Sequence, residues 1–380
     1  MSISIGVIVN KGFEKVAVRQ IREILEDVTD IRVEETIVIF KANSWDEVFR
    51  FVYKNQIANR VIYYMNEIGY KIDEELIDAV YPKLEDEFFN EQLINGVRGF
   101  RVTLRSDEHM DITWLEAEIG GKIIDYAKNH AKELKVNLTT PALNFYIHVY
   151  NNTAYFGIDL SDDLSKRDYK IFNNAVSLKG PTAFGLLMLA EYVVKDSYLN
   201  PQCYSGTIEI EAALYATNTS HRFYNKSFPF MKFFDKDWEK IFKKLDSERV
   251  DKNFPITGSD PLLSSITAAT KNAKIAGVES YIDFRRIDLD WMDIKYEEKS
   301  IDKIISFIPG SSKHDKHLVK GFKQIFYHAE YILKDSGVAI IMCLSKDLLI
   351  ESSIEHFSLD HELSVHSGGQ LMHVLFFKKK

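Results

Sequence analysis

Residues 200–216 read NPQCYSGTIEIEAALYA, and the fold depends on how they are parsed. Ser205-Gly206-Thr207 turns the chain out of a strand end and into a helix whose face carries the small residues Ala212 and Ala213. In open α/β sheets, ligands sit beyond the carboxyl ends of the strands at a topological switch point. Glycine there allows close backbone approach, and an acid ending the next strand binds ribose hydroxyls. The downstream stretch FPITGSD ends in Asp260, and FRRIDLDW places Asp288 after a third strand, where a carboxylate accepts from an adenine amino group. Ser-Gly-Thr alone is also an ordinary turn and helix start, so the order of loop, acidic strand end and third-strand acid says more than any single member. From about Pro181 onward strands alternate with helices, which predicts a doubly wound parallel sheet.

Towards the amino terminus the pattern is different. SISIGVIV, a helix over Phe13–Glu26, RVEETIVIF, a second helix from Ser44 and RVIYYMNEI form two β-α-β units in about seventy residues, which suggests a ferredoxin-like sandwich. Ser44 with Glu47 reads as a capping box. A helical region over Asp73–Asn90, the run GFRVTLRS and a long helix over Thr113–Leu134 follow. LNFYIHVY and TAYFGIDL are then joined by Asn151-Asn152, a hairpin turn. The boundary between the two halves falls near Leu164–Lys179, which holds the basic cluster Lys166, Arg167 and Lys170.

A chain of 380 residues, 46% hydrophobic, can bury a large core and divides into more than one domain. Neither a cleavable leader nor a membrane-spanning apolar run is visible, so a cytoplasmic protein is expected. Cys203 and Cys343 are the only cysteines, which excludes a disulfide framework and a four-thiolate zinc site; both read as small buried residues, and no metal is expected. The formal charge is −8. Residues 1–180 carry 22 basic and 29 acidic side chains, so any nucleic acid must be held by local patches rather than bulk charge.

With these motifs in place the sequence resembles, over nearly its whole length, the class I methyltransferases that carry an amino-terminal THUMP RNA-binding domain and methylate guanine N2 in tRNA or large-subunit ribosomal RNA. The family's loop is typically Asp-Pro-x-Cys-Gly-Ser-Gly-Thr followed by an apolar-Glu-Ala-Ala helix. Pro201, Cys203, Ser205, Gly206, Thr207, Glu211, Ala212 and Ala213 match it. GFRVTLR, GIDLSDDLSKRDYK, RFYNKSFPFMKFF and GSDPLLSSITAATKNAKIAGV are further matches.

The resemblance implies a ferredoxin-like domain over 1–70, a THUMP domain over 71–165, a linker and helix over 166–190, and a Rossmann-like class I methyltransferase domain over 191–380. It implies an S-adenosylmethionine pocket made by Asn200, Pro201, Cys203, Ser205, Gly206, Thr207, Asp260 and Asp288. Asn200 stands where the family has Asp, and Tyr204 where it has glycine. In the family the fourth strand ends in Asn-Pro-Pro-Tyr or Asn-Leu-Pro-Tyr, whose carboxamide accepts the hydrogens of the base amine while the ring stacks. Here the catalytic stretch is IISFIPGSSKH. Aligned on Pro309, Phe307 stands where the Asn belongs and Gly310 where the aromatic belongs, while a register slipped by one residue, the less favoured alternative, lets Ser306 supply an oxygen and Phe307 a stacking face.

Lys313, His314 and Lys316, like the Lys166 cluster, are placed to meet RNA phosphates, or else belong to a solvated loop. The aromatics Phe228, Phe230, Phe233 and Phe234 of the insertion over 218–253 are expected to pack inside. The reading is an RNA guanine-N2 methyltransferase acting on tRNA, or on rRNA. The alternative is an inactive homologue that binds RNA or serves a protein partner. A nicotinamide dehydrogenase is disfavoured, because a close Gly-x-Gly-x-x-Gly is missing and Asp260 lies far beyond the usual spacing.

Overall fold

The computed structural model describes residues 2–173, 177–309 and 316–380. It divides into two compact units, one of Met1–Val9, Ala17–Leu164 and Ser227–Phe242, the other of Asn10–Val16, Ser165–Lys226 and Lys243–Lys380.

The first unit opens with strand β1 (Ile3–Ile8), helix α1 (Glu14–Ile24, shared with the second unit at its start), β2 (Thr29–Glu34), β3 (Ile37–Ala42), α2 (Trp45–Lys54) and β4 (Arg60–Gly69). The order β2-β3-β1-β4, with every neighbouring pair antiparallel, is the ferredoxin-like arrangement. RVEETIVIF, expected as one strand, is two: the chain reverses at Glu35-Thr36, with Thr36 at φ 67°. Ser44 caps α2, its hydroxyl accepting from Glu47 N at 3.3 Å. The returning Glu47 carboxylate takes the N–H of Asn43 at 2.9 Å rather than that of the cap residue.

The unit continues through α3 (Asp73–Lys83), α4 (Glu87–Ile94), β5 (Gly99–Ser106), α5 (Ile112–Asn129), β6 (Lys135–Val136), β7 (Leu143–Tyr150) and β8 (Thr153–Asp159). The helical region expected over Asp73–Asn90 is thus broken, since Asp86 starts a new helix by capping Phe89 N at 3.0 Å. Asn151 and Asn152, at φ 50° and 55°, make the expected tight hairpin. β4 pairs with β8, so all eight strands form one continuous sheet, β2-β3-β1-β4-β8-β7-β5-β6.

The second unit contains α6 (Gly180–Leu189), β9 (Tyr198–Asn200), α7 (Thr207–Ala216), α8 (Trp238–Asp246, begun in the first unit), β10 (Ile256–Asp260), α9 (Leu263–Ala276) and β11 (Ile282–Arg286). It closes with α10 (Met292–Lys295), β12 (Ile301–Ile308), α11 (Lys316–Ile332), β13 (Leu333–Cys343), α12 (Lys346–Ser353), β14 (Phe357–Ser367) and β15 (Gln370–Lys379). The sheet order is β11-β10-β9-β12-β13-β15-β14; its first five strands are parallel, and β15 runs antiparallel between β13 and β14. This is the Rossmann-like class I methyltransferase fold. Leu199, Ile304, Phe326, Ile341, Leu375 and Phe377 lie in its core, all fully buried. Among the described residues no helix is long and apolar enough to cross a membrane.

The insertion does not stay with the domain that its sequence interrupts. Residues Ser227–Phe242 belong to the first unit, where Phe230 stacks on Phe49 at 4.8 Å and Phe234 lies 4.7 Å from Trp45 between ring centroids. Phe228, Phe230 and Phe233 are buried and Phe234 is half-buried, so the aromatics pack as expected.

Candidate functional site

β9 is only three residues long, and all three are buried. It lies between β10, where Asn200 pairs with Gly258, and β12, where Leu199 pairs with Ile304. The winding of the sheet reverses between β9 and β12, so the loop leaving β9 sits at a switch point of the kind that holds ligands.

That loop is held by its own main chain and by its neighbours. Asn200 Oδ1 accepts from Gln202 N at 3.1 Å, Cys203 N donates to Ser259 O at 2.8 Å, and Gly206 N closes a turn on Cys203 O at 2.8 Å. Asn272 of α9 donates to Ser205 O at 3.1 Å. Gly206 has φ 78°, and a Cβ there would lie 2.8 Å from Ala269 Cβ and 2.9 Å from Phe284 Cζ, so only glycine fits. Tyr204 also takes a left-handed conformation, φ 49°, which disfavours any side chain by roughly 1 kcal/mol.

Asp260, at the tip of β10, is nearly buried. Its Oδ2 accepts from Tyr204 N at 3.1 Å and its Oδ1 from Leu262 N at 2.9 Å. Burial raises its carboxyl above the usual range, while these amides and Ser265 pull it back down. Three donors on four lone-pair sites leave one site for a further donor. Asp288 is exposed beyond β11, where it starts the turn Leu289–Trp291 by accepting from Asp290 N at 3.3 Å.

In front of the loop is a small cavity lined by Ser177, Leu178, Asn200, Gln202, Cys203, Tyr204, Ser205, Thr207, Ile208 and Phe307. Its open volume of about 20 Å³ is room for roughly one water. The structure therefore gathers Asn200, Cys203, Ser205, Thr207 and Phe307 at one place, with Asp260 tied to them through Tyr204 N. Pro201, Pro309 and Asp288 lie outside the lining. So does Ser306, whose buried Oγ has no hydrogen-bond partner among the described residues. Phe307 turns to the cavity as its neighbour Ser306 turns away, the alternation of a strand.

Two basic residues assigned to RNA are placed elsewhere. Arg167 is fully buried and donates to Glu211 at 2.8 Å, while the Tyr169 hydroxyl donates to the same carboxylate at 2.7 Å. Lys170 is half-buried and donates to Leu178 O; burial lowers its ammonium to about 8. Both hold the linker rather than phosphates. Lys166 is exposed. Gly310, Lys313 and His314 lie outside the described residues, and Lys316 begins α11 with its side chain outside them.

Sequence reasoning missed Ser177 and Leu178, which line the cavity, and Asn272, which is fully buried and also bonds both main-chain groups of Phe172, at 3.0 and 2.9 Å. Asn272 lies inside the motif TKNAKIAGV, where only the fold shows which loop it reaches.

A match to the family described as RMKL-like, methyltransferase domain, runs over residues 167–372, more than half of the chain. The chain belongs to this RMKL-like methyltransferase family. Similarity also extends over the first unit. A tRNA (guanine(6)-N2)-methyltransferase of Archaeoglobus fulgidus is 26% identical, over 96% of this chain and 90% of the relative. One of the same name from Methanocaldococcus jannaschii is 25% identical, over 97% and 98%. TrmN from Thermus thermophilus, a solved structure, shares the fold with a TM-score of 0.72 and 18% identity, covering all of both chains. The RMKL-like loop, strand end and acid thus stand on a fold that carries methyltransferases in these relatives.

Proposed function

We infer that this chain is an S-adenosylmethionine-dependent RNA methyltransferase acting on the exocyclic N2 of guanine, with tRNA as its substrate class. The observation that carries this reading is the β9 loop at the switch point, bound through Tyr204 N to the Asp260 carboxylate, in a chain whose full-length relatives bear that name.

The polar groups of the loop suit the donor's chemistry. Gly206 keeps the loop backbone close against α9 and β11, and Thr207 and Ile208 at the start of α7 line the cavity. The 200–207 loop would hold the methionine end, Asp260 the ribose and Asp288 the adenine amino group. When bound, the donor supplies an electrophilic methyl group. The remaining work is done by position: the guanine amine is a weak nucleophile until its hydrogens are accepted and its lone pair aimed. Phe307 offers a ring on which the base stacks, and main-chain carbonyls between the end of β12 and Pro309 take the place of the family's carboxamide. Lys166, with Lys313, His314 and Lys316, supplies phosphate contacts outside the cavity.

The inactive alternative draws no support from the relatives, which are named as methyltransferases. The deciding experiment incubates the purified protein with tRNA transcripts and labelled donor and then analyses the nucleosides. N2-methylguanosine is expected. Label in another nucleoside would move the reaction to a different atom, and no label in any tRNA would sink the reading.

A further inference from the structure

The helix that follows the loop carries an acid that the proposed reaction does not use. Glu209, in the first turn of α7, is completely buried. Its Oε1 accepts from the Tyr198 hydroxyl at 2.9 Å, and the Asn200 side chain lies beside the carboxyl. Oε2 is buried with no partner among the described residues.

Two of its neighbours, Asn200 and Cys203, line the cavity. A Cβ on Gly258 would come within 2.9 Å of Glu209 Cγ and 3.1 Å of Cys203 Cβ, so the acid and the loop pack against the same point of β10. The titratable groups that face it are the Tyr198 phenol from β9, the Cys203 thiol from the loop and the Asp260 carboxylate from β10. None of these is a cation. Burial, the largest influence, lifts the carboxyl to about 7. A buried acid with an orphan oxygen and only neutral or anionic neighbours gains most from the arrival of a positive charge.

We propose that Glu209 is a positioning residue that makes the loop prefer a cationic ligand over a neutral one, losing its proton when a sulfonium donor enters the cavity and regaining it when the thioether product replaces the donor. The proposal rests on the methyltransferase reading above. The chemistry balances: the methyl passes from sulfur to guanine N2, the sulfonium becomes a neutral thioether, N2 releases one proton, and Glu209 takes up one proton from solvent. It also separates substrate from product, because the two ligands differ chiefly by one methyl and one charge.

The test is calorimetric titration of the full chain with S-adenosylmethionine and, separately, S-adenosylhomocysteine, between about pH 6 and 8.5, on either side of the acid's own range. The ligands' shared α-amino group largely cancels in the affinity ratio. That ratio should rise with pH in favour of the sulfonium by about tenfold, the order expected for unit charges several ångströms apart in a protein interior. In Glu209→Gln it should be flat. Tyr198→Phe, which keeps the acid but removes a donor to its ionised form, should move the midpoint to higher pH. A flat ratio in the unmodified protein, or a slope that survives in Glu209→Gln, overturns the role of Glu209 while leaving the enzyme reading intact. Failure of both ligands to bind at every pH overturns both.

Discussion

At the level of single residues, two positions in the loop make the same demand on the backbone and meet it with different side chains. Gly206 is at φ 78° with no space for a Cβ, so Gly206→Ala should destabilise the second unit by about 2 kcal/mol or more and lower donor affinity sharply. Denaturant unfolding and calorimetry would show both; an alanine variant with unchanged affinity would mean the loop does not approach the ligand. Tyr204 is also at positive φ but carries a ring that narrows the cavity to the room of one water. Tyr204→Gly relieves both constraints, and its affinity for S-adenosylhomocysteine should rise several-fold. A loss of affinity would show instead that the ring is part of the binding surface.

His148 makes a different demand. Burial lowers its imidazole to about 4 from the usual 6.5. Its Nε2 lies 2.7 Å from Thr36 Oγ1, whose own hydrogen goes to Glu35 O. The neutral ring is therefore the stabilised form. Its contribution is complete above pH 6.5 and is lost as pH falls from 6.5 through 4, by about 3 kcal/mol in all. Thermal melts over that window should show the decline, and His148→Gln should remove much of it.

At the level of elements, the linker is bolted to α7. Arg167 and Glu211 are both fully buried and joined at 2.8 Å, with Tyr169 as a third member. Arg167→Met removes the guanidinium from the buried Glu211 carboxylate, and a loss of about 3–5 kcal/mol is expected. The pair Arg167→Met with Glu211→Leu should recover most of it; equal losses in single and double variants would count against the ion pair. In the sequence, Lys166, Arg167 and Lys170 look like an exposed basic patch, because 44 residues separate Arg167 from its partner. Composition reports charge but not burial, and here burial reverses the role. The division of RVEETIVIF was hidden for a local reason: Thr36 is not a residue that advertises positive φ.

At the level of the whole molecule, the chain folds as two units whose segments are interleaved in sequence. Residues Ser227–Phe242 follow α7 in the chain yet pack in the first unit, where Phe230 is fully buried against Phe49 and Trp238. Phe230→Ala should therefore destabilise the first unit by about 3–5 kcal/mol. Hydrogen exchange that reports faster opening in β1–β4 is the expected result. Faster opening confined to β9–β15 would contradict the assignment.

Local chemistry alone determined a good deal here. Alternating hydrophobics marked most strands, Asn151-Asn152 marked a hairpin, and the order of Gly206, Asp260 and Asp288 pointed to the carboxyl end of a parallel sheet, because each is a property of a few adjacent residues or of their order. Only the tertiary structure decided which side chains share the cavity. Ser177, Phe307 and Asn200 come from three distant segments, and Phe307 rather than Ser306 faces inward because strand pairing sets which alternate residue does. The same holds for Glu209: one acid among fifty-six in the sequence, it becomes distinctive only where the sheet and α7 enclose it without a counter-charge.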